Sequence, residues 1–276
     1  MKHSSEAGFT LIELLVGMAL IGIVLASLLN FFTQGSQVSA QSSSRAELQQ
    51  EILTAQQLIA GKLKAAWYIY PPNQALALAS SDAPTVRNPI TLNQNWTTGT
   101  HPILAMILPP IVTPTPTALC SAATPDRCYR FLAYYPVLRS AWVAGTSTTS
   151  WRNPGLDTGN ASTWILAEYR ANMPSTFTPT GLPTTAPAVP ITGDANILSD
   201  YMAPTIPTPG FTTAASSYSM FSYVPSTSSL SVPVTGVTLN LAATRKTAGV
   251  TLRLPNATDE YTISVYPTNL GKIAAN

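Results

Sequence analysis

The chain has 276 residues, a formal net charge of +2 and only 9% charged residues. That balance excludes a nucleic-acid-binding domain held by a strong basic excess, and 45% hydrophobic residues exclude wholesale disorder. The length accommodates one sizeable globular domain, or two small ones, plus a long helix, while the 24 prolines and abundant Ser and Thr imply many turns and exposed loops.

The chain opens on a short polar segment, residues 1–8, in which Lys2 and the initiator amine are opposed by Glu6. Residues 9–32 then read FTLIELLVGMALIGIVLASLLNFF, interrupted by polar groups only at Thr10, Glu13, Ser27 and Asn30. As a helix this run spans about 36 Å, enough to cross a hydrocarbon core of ~30 Å. The first charge after it is Arg45, so the positive-inside rule keeps the N-terminus in the cytoplasm and sends the remainder across the membrane. Glu13 is the anomaly. A carboxylate within a membrane helix costs roughly 2.5–3.5 kcal/mol and calls for a partner. Cleavage between Gly8 and Phe9 would create an α-amino group at Phe9, one helical turn from Glu13, and the two could neutralise each other within a chain or between neighbours. Two plainer readings stand beside this one: a secretory signal peptide cut near Val38-Ser39-Ala40, and a single-pass anchor with Glu13 tolerated near the interface.

The segment Gly8-Phe9-Thr10-Leu11-Ile12-Glu13 resembles the prepilin peptidase site of type IV pilins and type II secretion pseudopilins. The resemblance implies that the peptidase cuts after Gly8 and methylates the new amine of Phe9. It also implies that Glu13 pairs with the N-terminus of an adjacent subunit during assembly. The implied partners are other pilin subunits, the prepilin peptidase, an inner-membrane assembly platform and, before assembly, the membrane. The implied location is the bacterial inner membrane, single-pass with a cytoplasmic N-terminus, and then the periplasm and a cell-surface filament. The proline that many major pilins carry in this segment is absent, which fits minor pilins and pseudopilins better.

Beyond the apolar run, residues 33–70 continue as an amphipathic helix. Leu48, Ile52, Ala55, Ile59, Leu63 and Ala66 recur at helical spacing on one face, with Gln49, Gln50, Gln56, Gln57 and Lys64 largely elsewhere. Pro71-Pro72 reads as the stop, giving one helix of about 60 residues, near 90 Å long. Gly17, Gly22 and Gly35 punctuate it, either as small residues for close helix packing or as points of local melting.

From 71 to 276 the pattern becomes that of a β-rich head, and the fold class expected is α+β: a long helix packed on an antiparallel sheet with long irregular loops. Expected strands are Ile103–Leu108, Cys128–Tyr135, Thr163–Arg170, Ser219–Val224, Gly236–Ala242, Gly249–Leu254 and Glu260–Val265. The last three read as an antiparallel meander with a hairpin tip at Arg245–Gly249. Residues 171–217 read as a Pro/Thr/Ser-rich excursion around one short element at Asn196–Tyr201. The order of the segments at Tyr129–Tyr135, Trp164–Arg170, Ile197–Tyr201 and Val237–Leu241 loosely resembles that of PilW-type minor pilins and J-type pseudopilins.

The two cysteines, Cys120 and Cys128, sit close in a chain with an export segment and read as a local disulfide, against the alternative of two unrelated buried thiols. Beyond them the chain offers only His3 and His101, so no metal and no cofactor are expected. Sparse carboxylates and the lack of a nucleophile–base grouping argue against an enzyme. A tip binding module, an adhesin or DNA receptor, is the rival in emphasis. Arg245, Lys246 and Arg253 would meet phosphates, and Trp142, Trp151 and Trp164 would stack on bases or sugars, against the plainer reading of buried tryptophans and a solvated hairpin.

Overall fold

The computed structural model describes residues 11–112, 114, 119–179, 181–190, 192–206 and 218–272. Helix α1 runs unbroken from Leu11 to Lys64, 54 residues and about 80 Å. Nothing in its interior removes a backbone donor, and Glu13 in the first turn and Lys62 and Lys64 in the last complement its dipole. The apolar stripe of its second half is buried at Leu48, Ile52, Ala55, Ile59 and Leu63. The helix stops at Lys64, short of the proline pair. The Ala65 and Ala66 N–H groups fall back on the Lys62 and Leu63 carbonyls, and Trp67 N–H donates to Ile107. Strand β1 (Tyr68–Ile69) follows at once. The cause is aromatic packing: Trp67 and Tyr70 bury completely against Tyr129, Phe177 and Phe131, and that placement fixes an extended chain here.

The head is built from β2 (Ala75–Ala77), β3 (Asn95–Thr97), β4 (Leu104–Leu108), β5 (Arg130–Leu138), a short helix α2 (Arg139–Gly145), β6 (Trp164–Asn172), β7 (Asp194–Met202), β8 (Phe221–Val224), β9 (Gly236–Leu241), β10 (Ala243–Thr247), β11 (Val250–Leu254) and β12 (Tyr261–Val265). A seven-stranded antiparallel sheet has the order β1-β4-β5-β6-β7-β10-β11, a three-stranded sheet the order β12-β9-β8, and β2 pairs with β3. The fold is α+β. Side chains alternate across the large sheet. Leu104, Met106, Leu108, Leu132, Tyr134 and Leu166 face α1 and the small sheet, while Ile103, Ala105, Ile107, Phe131, Ala133 and Ile165 face the opposite layer. With both faces covered, β4 and β5 read as continuous apolar runs rather than alternating ones.

The end of the chain departs from a simple meander. β9 joins the small sheet between β8 and β12, whereas β10 and β11 leave it to extend the large sheet beyond β7. Residues Arg245 to Thr247 are strand, and the tip is only Ala248-Gly249, both at positive φ (50° and 79°) as a tight primed turn requires. The proline-rich stretch after β6 is irregular yet packed. Met173 is buried, Phe177 stacks edge-on to Trp67 and Tyr129, and Tyr70 donates its hydroxyl to the Pro187 carbonyl. Pro207 and Pro209 lie outside the described residues. Cys120 and Cys128 are disulfide-bonded across a sequence separation of 8. They close a short loop just before β5. The chain-entropy relation assigns a loop of this size roughly 2.5 kcal/mol.

The stripe of α1 sets the first expectation. Ile59 is fully buried and its neighbour Leu58 is 49% exposed. Ile59→Ala should lower the unfolding free energy of the detergent-solubilised full chain by about 2–5 kcal/mol in chemical denaturation, and Leu58→Ala by no more than about 0.5 kcal/mol.

Candidate functional site, an exposed apolar half-helix

From Leu11 to Ser43 nearly every residue of α1 is exposed, including Leu11 (81%), Phe31 (72%) and Phe32 (68%). The apolar side chains cover the whole circumference instead of one stripe, the pattern of a helix meant for an apolar medium. Among the described residues this is the one helix long and apolar enough to cross a membrane. Two of its hydroxyls are satisfied from within: Ser27 Oγ donates to the Ile23 carbonyl at 2.9 Å and Thr33 Oγ1 to the Asn30 carbonyl at 2.9 Å. Gly17 and Gly22 leave the helix unbroken, and a Cβ at either would meet nothing within 4 Å. They are flat places on the surface where another helix can approach closely. Glu13 stands exposed in the first turn. Gly8 and Phe9, the cleavage and methylation positions, lie outside the described residues.

The head grips α1 from Ser44 onward, and the upper edge of that grip is polar. Glu47 pairs with Arg245 at 3.4 Å, and Thr247 Oγ1 donates to Ser44 Oγ at 3.3 Å. Glu51 Oε1 accepts the Asp200 N–H at 2.5 Å, and the Asp200 carboxylate pairs with Arg139, itself 2% exposed, at 3.1 Å. Tyr201, held at a φ of 54°, lies beneath the guanidinium groups of both Arg139 and Arg245 and donates its hydroxyl to Asp157. Deeper, the buried Gln56 amide donates to the Tyr261 carbonyl at 2.7 Å, tying α1 to the small sheet. Sequence reasoning missed this cluster. Its members come from helix, turn and strands spread over some two hundred residues, and the one local signal is Glu51 standing beside the buried Ile52.

Other candidates divide. Trp142 and Trp164 are fully buried, whereas Trp151 is 83% exposed. Arg245 is engaged by Glu47 and Tyr201, and Arg253 by Glu260 and by the Asn256 and Asp259 carbonyls. His101 Nδ1 accepts the Thr97 N–H at 2.8 Å and its ring meets Trp96 edge-on. No group of three or more His, Cys, Asp or Glu side chains among the described residues is placed to hold a metal.

The geometry defines a class: a chain with, among the described residues, one membrane-competent helix that carries a β-rich head. Comparison with known proteins narrows it. The profile of the prokaryotic N-terminal methylation motif matches residues 3–29. A pilin-like protein of Thermus thermophilus, PilA3, is 35% identical over 77 residues, which are 26% of this chain and 33% of that protein. The match thus spans about a third of that relative's length. No solved structure matches the chain. The motif and the helix together liken the chain to type IV pilin-like proteins at its N-terminal end.

The polar grip carries a pH dependence. Burial raises the Glu51 carboxyl above its ordinary value of 4.5, with the neighbouring Asp200 charge adding to this, despite the hydrogen bond from Asp200 N–H. Because the folded pKa exceeds the unfolded one, the favourable contribution is complete below the unfolded value and is lost as pH rises through the folded one. Glu51→Gln keeps the acceptor oxygen and removes the titration. The variant should match the wild type in stability at pH 4 and exceed it at pH 7, as read from paired denaturation curves.

Proposed function

We propose that the chain is a minor subunit of a type IV pilus, entering at the tip or as an initiating subunit, where it supports pilus biogenesis, adhesion, motility or DNA uptake. In this reading a prepilin peptidase cuts after Gly8 and methylates Phe9. The chain waits in the inner membrane with its N-terminus in the cytoplasm, and an assembly platform then moves α1 from lipid into a bundle of other pilin helices. The observation that carries the proposal is the unpartnered apolar half of α1 bearing Glu13 in its first turn, joined directly to the methylation motif. The lack of proline among residues 11–64 and the PilW-like order of β5, β6, β7 and β9 support a minor subunit. A type II secretion pseudopilin shares every one of these features, and the partners recovered with the chain separate the two. A DNA- or sugar-binding tip draws little support from the head, because Arg245 and Arg253 are engaged and Trp142 and Trp164 are buried.

The test is Glu13→Ala, expressed in cells lacking the wild type. Removing the carboxylate makes insertion easier, so the variant should reach the membrane and be processed at Gly8. Its incorporation should fail, because the Phe9 amine of a neighbour is left without its carboxylate, and an unpaired buried charge costs about 3–5 kcal/mol. Sheared-filament fractions should therefore lose the chain while membrane fractions retain it. Wild-type levels of the variant in functional filaments would refute the pairing.

A further inference from the structure

Between its apolar half and its gripped half, α1 has a stretch that neither surrounding covers. Residues 33–43, TQGSQVSAQSS, run from the end of the apolar run to Ser44, the first residue of the helix that the head buries. Ten of these eleven are exposed and Gln41 is half-buried. Val38, the one large apolar side chain among them, is 64% exposed. The composition is poor for a helix. Gly35 gives up the most backbone entropy, Ser36, Ser39, Ser42 and Ser43 offer the backbone competing hydrogen bonds, and Thr33 and Val38 are restricted at χ1. No charged residue stands between Glu13 and Arg45, so no i,i+4 ion pair spans the stretch. Its side-chain hydrogen bonds among the described residues, Thr33 to the Asn30 carbonyl and Ser43 to Glu47, stay within α1. On either side the helix is held for a different reason. Toward the N-terminus, lipid gives a broken backbone bond no water to turn to. Toward the C-terminus, opening would expose Leu48, Ile52 and Ile59. In residues 33–43 a freed N–H or C=O passes to water and no packed side chain is lost, which is the condition for local opening well below the cost of global unfolding.

We propose that residues 33–43 are a joint, a helical stretch that opens locally so that the head swivels and moves away from the apolar half while α1 stays helical on both sides. As a helix the stretch spans about 16 Å and as an extended chain about 36 Å, so the head gains roughly 20 Å of travel. Neither the polar grip at Ser44 to Glu51 nor the apolar run is disturbed by that travel. The joint serves an anchored chain and an assembled one alike, so it does not rest on the minor-subunit reading. The test uses the full chain in neutral detergent, with amide hydrogen exchange and nitrogen relaxation followed by NMR. Amides of residues 37–43 should exchange about a hundredfold faster than those of residues 52–63. Exposure alone contributes to that difference, so the deciding quantity is the rotational correlation time. Head amides should tumble faster than amides of residues 16–30, which move with the micelle. The variant that combines Gly35→Ala, Ser36→Ala, Ser39→Ala and Ser42→Ala strengthens the helix without touching the grip, since a Cβ at Gly35 meets nothing within 4 Å and the three serines are exposed. It should slow exchange in the stretch by about tenfold or more and bring the two correlation times together. The paired change Gln37→Gly with Ala40→Gly should drive them further apart. A head that tumbles as one body with residues 16–30 in the wild type would overturn the proposal, and so would independent tumbling that the alanine variant leaves unchanged.

Discussion

One helix has to satisfy two different surroundings. The second half of α1 buries its stripe against the head, and the first half presents leucine, isoleucine and phenylalanine on every side, mostly exposed. Burying a single such side chain is worth about 1.5–3 kcal/mol, so more than a dozen exposed ones cannot remain in water. Lipid meets the requirement, and so does a bundle of similar helices, and the chain can pass from one to the other because the two media are alike. In the proposed function, what distinguishes them is the partner each offers to Glu13.

The head's architecture follows from having to hold such a helix firmly. Load on a membrane-embedded or bundled helix reaches the head first at Ser44 to Glu51, and there the contact changes from apolar packing to directional bonds. Arg245 meets the helix carboxylate of Glu47 and the Asp200 N–H that of Glu51, with Arg139 and Tyr201 packed behind them on Asp200 and Arg245. Carrying β10 and β11 out of the small sheet and onto β7 is what brings Arg245 and Thr247 to this edge. At the opposite end, Phe177 packs on Trp67 and the Pro187 carbonyl holds the Tyr70 hydroxyl just past the point where α1 stops.

Much of this was legible in the sequence, for physical reasons that differ by element. The helix was readable because a continuous apolar run and a three-to-four-residue stripe are unambiguous at that length. The central strands were readable as buried runs bounded by turn residues, and two nearby cysteines in a chain that opens on a membrane-competent segment had few alternatives. The end of α1 was not, because Trp67, Tyr68 and Tyr70 fit a helical pattern locally and are drawn into strand only by partners such as Phe131 and Phe177, far along the chain. Likewise Arg245-Lys246-Thr247 reads locally as part of a hairpin tip, since it carries no apolar alternation; its place in β10 comes from the pairing of that strand with β7 and β11. The Arg139–Asp200–Glu51 cluster is a product of tertiary packing, which no local pattern encodes.

The central claim is that the exposed half of α1 is exposed by design, as the mature N-terminal element of an assembling subunit. The identity of the N-terminus in the chain extracted from the membranes of cells that produce it tests this most directly, by intact mass and N-terminal sequencing. The account predicts a chain that begins at Phe9 with a methylated amine. A chain that retains residues 1–8, or one that begins near Gln41 with the apolar helix removed, would contradict it.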